Sequence, residues 1–291
     1  MTNSAASIDS CSPIEEQLLR HMKENRLDVP MLPEVARKVV QLSDDPDSDA
    51  SAMSKLIQGD QTLAVQVMRI ANSAMYSPGG GSMASLQQAI TRLGIRHIGE
   101  IALAASLHAR LFDAPGHEEH VLAILKRALA AGLWAKEIAR SARKNVEAAF
   151  LGGLMHDIGR PVVLQSIVEI ARAQDLQPSS EEIYVLEEKY QRSIGLAVVK
   201  HWGMPTIVCD VIEHVDDYHK AETNQLPVMI VVAGALFANT LMIEDESDFT
   251  DKSDFLITHE VMADLNFYRS DIEALIDKKA QVDASVETMF Q

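Results

Sequence analysis

Apolar residues recur at spacings of three and four along most of the chain, whereas the alternating runs that mark strands are scarce. Alanine, leucine, isoleucine and methionine, which favour helices, dominate the composition. The pattern therefore predicts an all-α protein with little or no sheet. With 291 residues, of which 47% are hydrophobic, the chain is long enough to bury a sizeable core.

The sequence pattern of the N-terminal third predicts a leader that is followed by a compact helical subdomain. Residues 1–27 form the leader: its first 12 residues are expected to be disordered, and an amphipathic helix then runs from Pro13 to about Asn25. Residues 28–113 form a subdomain of five short helices, predicted near 33–44, 48–58, 61–72, 85–94 and 95–112. Asp60 and Ser85 can cap two of them. The glycine-rich run 77–81 is predicted to be a loop.

A turn at Asp113–Gly116 separates these helices from a second helical subdomain, residues 117–291. Its helices are predicted near 121–141, 148–158, 161–173, 181–202 and 206–219, followed by an apolar helix that begins at Pro227. An acidic loop from Glu244 to Asp254 is expected to end the apolar helix, and a terminal helical region closes the chain.

The formal net charge of −16 opposes binding to polyanions. Phosphate backbones and anionic lipid surfaces repel an acidic protein unless it carries a local basic patch, and such a patch is hard to find in the sequence. Nucleic acid is therefore not expected as a partner.

The cysteines and the longest apolar segment both favour a cytoplasmic protein. Cys11 and Cys209 are the two cysteines, which fits a reducing compartment, and the N-terminus lacks the basic and apolar regions of a signal peptide. The segment from Leu226 to Ile243 is nearly as apolar as a short membrane span, but it contains Asn239 and its flanks are acidic. We interpret it as a buried core helix and expect no membrane association.

The apolar stretch from Phe150 to Arg160 contains a His-Asp dipeptide, His156 and Asp157. A neutral imidazole beside a carboxylate can hold a divalent metal, and Gly152 and Gly153 would let another backbone approach closely. The alternative is a pair of buried polar groups that are satisfied by hydrogen bonds. Two ligands alone do not form a metal site.

Several motifs, in their order and spacing, resemble the HDOD family. They are Leu32–Ala36, Met68–Tyr76, Leu93 with Gly94, Gly153–Gly159 and Trp202–Pro205. The resemblance covers roughly residues 28 to 240, and it implies a single HDOD-like domain over residues 28–291. HDOD domains are helical output domains related to HD-type metal-dependent phosphohydrolases, so the second subdomain is expected to be HD-like, with the five-helix subdomain packed against it.

The resemblance also implies where metal ligands would stand. HD phosphohydrolases use a His, a distant His-Asp pair, a later Asp and often further His residues. The retained positions are His156, Asp157 and His214; the replaced positions are Ala128, Gln191, Val215 and Gly234. Because alanine and glycine carry no donor atom, we expect a degenerate site with no metal, no cofactor and no catalytic residue.

The retained polar residues are expected to form a structural remnant. His156, Asp157 and His214 would bond to one another or to Arg160, because an unpaired buried charge is costly. Substitute ligands could come from the acidic cluster Asp210, Asp216, Asp217 and His219, although a solvated acidic face is the preferred interpretation.

Two functions follow from the resemblance. The first and preferred one is a non-catalytic bacterial signalling module that acts through protein contacts, with a partner in two-component or cyclic di-GMP signalling by analogy. The alternative is a metal-dependent phosphohydrolase that acts on a nucleotide or cyclic dinucleotide. A third, weaker hypothesis is that the former catalytic pocket binds a nucleotide without cleaving it. The oligomeric state does not follow from the sequence.

Overall fold

The computed structural model describes residues 12–44, 48–73, 76, 82–107, 111–242 and 249–290. These residues form helices and their connections, with no strand among them, so the all-α prediction is confirmed. The predicted disorder of the leader falls almost wholly on residues 1–11, which lie outside the described residues, as does the predicted glycine-rich loop at 77–81.

The described residues form the following α-helices, in chain order: α1 (Pro13–Lys23), α2 (Glu34–Asp44), α3 (Ala50–Gln58), α4 (Gln61–Ala71), α5 (Leu86–Leu93), α6 (Ile95–Ser106), α7 (Glu118–Ser141), α8 (Val146–Met155), α9 (Gly159–Gln174), α10 (Ser180–His201), α11 (Thr206–His214), α12 (Gln225–Leu241), α13 (Phe249–Thr258), α14 (Glu260–Asp264), α15 (Arg269–Ile276) and α16 (Lys279–Phe290). A single 3₁₀ turn, Tyr218–Lys220, separates α11 from α12.

Side-chain caps fix the start of four of the first five helices. Ser12, Asp49, Asp60 and Ser85 each accept a hydrogen bond from the backbone N–H three residues later. These bonds satisfy donors that a helix N-terminus leaves unpaired. The caps predicted at Asp60 and Ser85 are therefore confirmed.

Two helices end earlier than the sequence pattern predicts. α6 ends at Ser106 instead of near Phe112, and both Leu107 and Phe112 are buried in the core. A continuous helix would place these two side chains on different faces. α11 ends at His214, and the following 3₁₀ turn buries Tyr218, whose hydroxyl donates to Asp264.

The prediction of an acidic loop from residue 244 to residue 254 is wrong for its second half. Residues 251–254 belong to α13, which packs against α12 and α15. Leu256 is fully buried in this contact. Tertiary packing of one apolar side chain therefore outweighs the acidic composition, which suggested a loop.

α7 is the central helix of the C-terminal half and lies between α8 and α12. α7 and α8 cross closely because both carry glycine at the crossing: a Cβ on Gly153 would lie 2.6 Å from the Cα of Gly132. The expectation of close backbone approach at Gly153 is confirmed. Gly152 instead faces side chains, with Val231 3.0 Å from the position of its missing Cβ.

The N-terminal helices join the C-terminal half through α6. This helix packs against α2 and α4 on one side and against α8 on another. Lys136 of α7 donates to Glu100 of α6 at 2.6 Å, and Lys136 is only 2% exposed. A buried ion pair thus links the two sets of helices.

α1 also shares this core. Ile14 and Leu18 are buried, and α1 packs against α9. Tyr190 of α10 donates to Glu15 at 2.6 Å. The leader helix is therefore placed against the C-terminal half of the chain.

Within the described ranges, no helix combines the length and the apolar character needed to cross a membrane. α12, the most apolar candidate, buries Val231, Phe237 and Leu241 in the protein core. The interpretation of this segment as a core helix is confirmed.

Candidate functional site

The His-Asp dipeptide lies in the turn between α8 and α9. α8 ends at Met155, residues 156–158 form the turn, and α9 begins at Gly159. His156 and Asp157 are buried, with 5% and 7% of their surface exposed. The apolar segment therefore holds two polar side chains inside the protein, where each needs a partner.

The backbone of α8 fixes the tautomer of His156. Its Nδ1 lies 2.6 Å from the carbonyl oxygen of Gly153, so Nδ1–H donates and Nε2 keeps its lone pair. Burial lowers the pKa of His156, so the ring is neutral at pH 7. Nε2 faces Oδ2 of Asp157 at 3.4 Å. Two atoms bonded at about 2.0–2.1 Å to one tetrahedral ion lie about 3.4 Å apart, so the pair keeps a ligand-like spacing.

Two arginine side chains neutralise the carboxylate of Asp157. Arg192 Nη1 donates to Oδ1 at 3.0 Å, and Arg160 Nε approaches Oδ2 to 3.4 Å. Burial by itself raises the pKa of Asp157, but its interactions with His156, Arg192 and Arg160 together outweigh burial and lower it. Asp157 is therefore a carboxylate at neutral pH.

Arg192 of α10 ties the dipeptide to the end of α11. Its Nη1 also donates to the carbonyl oxygen of His156 at 2.7 Å, and its Nε and Nη2 donate to the two carboxylate oxygens of Asp216 at 2.9 and 2.8 Å. Burial would lower the pKa of Arg192, but its bond to Asp216 and the charge of Asp157 raise it. The guanidinium is thus a fixed cation between two carboxylates.

Arg160 extends this network along the contact between α9 and α10. Its guanidinium pairs with Glu188, and its Nη1 lies 3.8 Å from Oε2 of Glu187. Glu187 is fully buried and also bonds Nε2 of His120 at 2.9 Å. Burial raises the pKa of Glu187, and its partners only partly offset this effect. The ion network therefore runs from Asp216 to His120.

An open cavity of about 240 Å³ lies against one end of this network. Its lining includes three arginines, Arg127, Arg160 and Arg192, together with the His-Asp dipeptide and Asp216. Asn239, His259, Val215 and a set of apolar side chains from α12 complete the lining. The fold thus gathers polar groups from four helices and three connections around one space.

The donor set in this cavity does not fit a divalent metal. No group of three or more His, Cys, Asp or Glu side chains in the described part of the chain is placed to hold one ion. His156 and Asp157 supply two ligand atoms, and the space beside them is taken by the guanidinium of Arg192, which has no lone pair to donate.

The HDOD domain family matches residues 29–218, which is more than half of the chain. The chain belongs to the HDOD family. The matched range contains the dipeptide, Arg192 and Asp216, so the ion network lies within the HDOD domain. α12, which supplies the apolar lining of the cavity, lies beyond the matched range.

Solved structures of similar fold come from several bacteria. A candidate metal-dependent phosphohydrolase of Shewanella amazonensis SB2B has a TM-score of 0.72 at 24% identity, with 93% of this chain and 97% of that chain covered. An HDOD domain protein of unknown function from Geobacter sulfurreducens has a TM-score of 0.71 at 20% identity, with 94% and 99% covered. A candidate signal transduction protein of Marinobacter aquaeolei VT8 has a TM-score of 0.64 at 21% identity, with 99% and 68% covered. These likenesses show the HDOD fold.

A curated relative is an uncharacterised protein of Treponema pallidum strain Nichols. It is 22% identical over 221 residues, which cover 73% of this HDOD chain. The match spans only 42% of the relative's own length.

Three of the replaced ligand positions expected from the HD pattern, Gly234 among them, do not line the cavity. Gly234 points at α7: a Cβ there would lie 2.6 Å from the carbonyl oxygen of Ala131 and 2.7 Å from the backbone nitrogen of Ala135. An aspartate at this position has no room in this packing, so the expectation that position 234 faces the dipeptide is not met here. Its neighbour Ala235 lines the cavity.

At two of the other three replaced positions, the neighbouring residue also lines the cavity in place of the expected one; Val215 is the exception. Ala128 and Gln191 are buried and do not line the cavity, whereas the adjacent Arg127 and Arg192 do. Val215 lies at the cavity, as expected. On α7 and α10, the residue that lines the cavity is therefore the arginine next to the position expected from the HD pattern.

No hydrogen bond or ion pair among the described residues joins His214 to the dipeptide. It is half-buried at the end of α11, and its neighbours Val215 and Asp216 line the cavity in its place. Of the acidic cluster considered as substitute ligands, Asp216 alone reaches the site. Asp210 instead accepts from Asn224, and Asp217 pairs with Lys220.

Proposed function

We propose that this HDOD domain is a non-catalytic signalling module that acts through protein contacts in the bacterial cytoplasm. The observation that carries the proposal is the position of Arg192, whose guanidinium bonds Asp157, His156 and Asp216 at once. The name of the Marinobacter structure, a candidate signal transduction protein, agrees with a signalling role. By analogy, a partner in two-component or cyclic di-GMP signalling is expected.

The geometry argues against the alternative, a metal-dependent phosphohydrolase. Such enzymes need an ion that activates water and neutralises the phosphate, and a catalytic zinc site commonly has three protein ligands and one open position. Here Asp157 has one oxygen bonded to Arg192 and the other beside Arg160. A metal would have to displace at least one fixed guanidinium, and it would gain two ligands.

Two measurements on the purified chain test the proposal. Elemental analysis is expected to find no stoichiometric Mn, Fe, Ni or Zn, and phosphomonoester and phosphodiester substrates are expected to show no turnover above background with added Mn²⁺ or Mg²⁺. About one metal per chain that is lost in Asp157→Ala, or turnover that vanishes in His156→Ala, would establish the phosphohydrolase instead.

The protein-contact part of the proposal needs a separate experiment. The tagged chain is used to capture binding partners from a lysate of the source cell, and the captured proteins are identified by mass spectrometry. A reproducible partner whose binding is confirmed with both purified proteins supports the proposal. Failure of every captured protein to bind in purified form counts against it.

A further inference from the structure

The cavity carries positive charge inside an acidic protein. Three guanidinium groups, Arg127, Arg160 and Arg192, line it against two carboxylates, Asp157 and Asp216, whereas the whole chain has a formal net charge of −16. No basic patch is visible in the sequence because these three arginines are far apart along the chain. The fold therefore creates a site with a local positive charge in a protein whose net charge is negative.

Arg127 is the arginine that the ion network does not use. Arg192 bonds two aspartates, and Arg160 pairs with Asp157 and with carboxylates of α10. Arg127 is half-buried on α7 and has no hydrogen bond or ion pair within the described residues. A half-buried guanidinium that faces a cavity has five N–H donors available to a ligand.

The remaining polar groups of the cavity also favour an acceptor-rich ligand. Nδ1 of His259 accepts the backbone N–H of Val261 at 3.3 Å, so in the neutral ring the proton is on Nε2. Asn239 adds an amide. The carboxylates of Asp157 and Asp216, by contrast, are already bonded to Arg192. The groups left for a ligand are therefore mostly donors.

The size and the apolar part of the lining limit the ligand further. The volume of about 240 Å³ is smaller than the roughly 300 Å³ at which typical small-molecule pockets begin, so the ligand must be small. Val215, Val232, Ala235 and Leu236 provide an apolar surface beside the donors. A ligand that uses both parts has a compact anionic group and a small organic group.

We propose that this cavity binds a small phosphate monoester, with the phosphate at Arg127 and the organic part against the apolar side chains of α12. A phosphate group offers three terminal oxygens to Arg127, His259 and Asn239, and guanidinium groups bind phosphate through paired hydrogen bonds. No hydrolytic step is involved. The proposal adds a small-molecule input to the module and does not depend on the identity of the protein partner.

The test is isothermal titration calorimetry of the full chain with adenosine 5′-monophosphate and with glucose 6-phosphate, in the presence of a chelator. Adenosine and glucose serve as probes without phosphate. Arg127→Gln removes the unpaired guanidinium. Arg172→Gln is the matched control, because Arg172 is an exposed arginine of α9 outside the cavity lining and its substitution changes the net charge equally.

At least one of the two phosphorylated probes is expected to bind. Its phosphate-free counterpart, adenosine or glucose, is expected to show no detectable heat of binding. Loss of a charged hydrogen-bonding partner predicts at least about tenfold weaker binding in Arg127→Gln, and less than about twofold change in Arg172→Gln. If Arg127→Gln fails to fold, Arg127→Lys, which keeps the charge but loses the paired donors, is expected to weaken binding in the same direction.

Three results would overturn the proposal: no binding of either phosphorylated probe, equal binding of the phosphate-free probes, or equal affinity in wild type and the Arg127 variant. Binding that requires an added divalent metal would overturn this proposal and the proposed function together. Absence of binding in every condition would overturn the ligand site alone.

Discussion

Replacing Arg192 should turn the ion network into a metal site. The guanidinium of Arg192 lies between Asp157 and Asp216, and the Nε2 lone pair of His156 faces the same aspartate. Arg192→His removes the resident cation and adds an imidazole to this set. The four side chains then form a donor set of the size that zinc prefers.

The size of two effects follows from the structure: the stability lost in Arg192→His and the stability that bound zinc would restore. Breaking a buried ion pair costs about 3–5 kcal/mol. Asp157 keeps the nearby charge of Arg160, and Asp216 is mostly exposed, so we expect a smaller loss of about 2–3 kcal/mol for Arg192→His. A partly preformed site predicts a zinc Kd of roughly micromolar order. Zinc at 100 times that Kd would restore about 2.7 kcal/mol.

The assay combines zinc calorimetry with thermal unfolding at pH 7.5, with and without zinc. Arg192→Lys is the matched control, because it keeps a positive charge between the aspartates and a protonated lysine offers no lone pair. Zinc should raise the unfolding temperature of the histidine variant and leave the lysine variant and wild type unchanged. A folded histidine variant that binds no zinc, or a lysine variant that binds it equally well, would refute the reasoning.

Three further predictions concern other parts of the fold. Lys136→Met should destabilise the chain by about 3–5 kcal/mol in urea unfolding, because it leaves Glu100 buried and unpaired, and adding Glu100→Gln should recover part of the loss. Gly234→Ala should cost about 1–3 kcal/mol in the same assay, because its Cβ would overlap the carbonyl oxygen of Ala131. His156 has a lowered pKa because it is buried, so between pH 7 and pH 5 the unfolded chain takes up a proton that the folded chain does not, and stability should fall. The fall should be smaller in His156→Asn, and an equal fall would count against a neutral buried ring.

The helices and the location of the site could be predicted because they depend on patterns that extend over many residues. Apolar spacing marks a helix over several turns, so α7 and α10 are recognised despite errors of a few residues at their ends. The close approach at Gly153 follows from the lack of a side chain. α13 could not be predicted from its acidic composition, because its stability depends on the burial of Leu256 against other helices.

The residues that face the cavity could not be assigned from the sequence because a helix turns about 100° per residue. An alignment error of one position therefore exchanges a core residue for a cavity residue. Gln191 and Arg192 illustrate the point, since the first is buried between α9 and α10 and the second reaches Asp157. The signal available in the sequence was an arginine next to an expected ligand position, as at Arg127 and Arg192.

Arg192 accounts for a buried His-Asp dipeptide in a chain whose donor set does not fit a metal. A carboxylate as buried as Asp157 needs a nearby positive charge, since desolvation without compensation costs several kcal/mol. A metal supplies that charge only while it is bound. The guanidinium of Arg192 supplies it permanently, and its link to Asp216 fixes α10 against the end of α11. The dipeptide then acts as an anchor between helices, and its retention requires no hydrolytic chemistry.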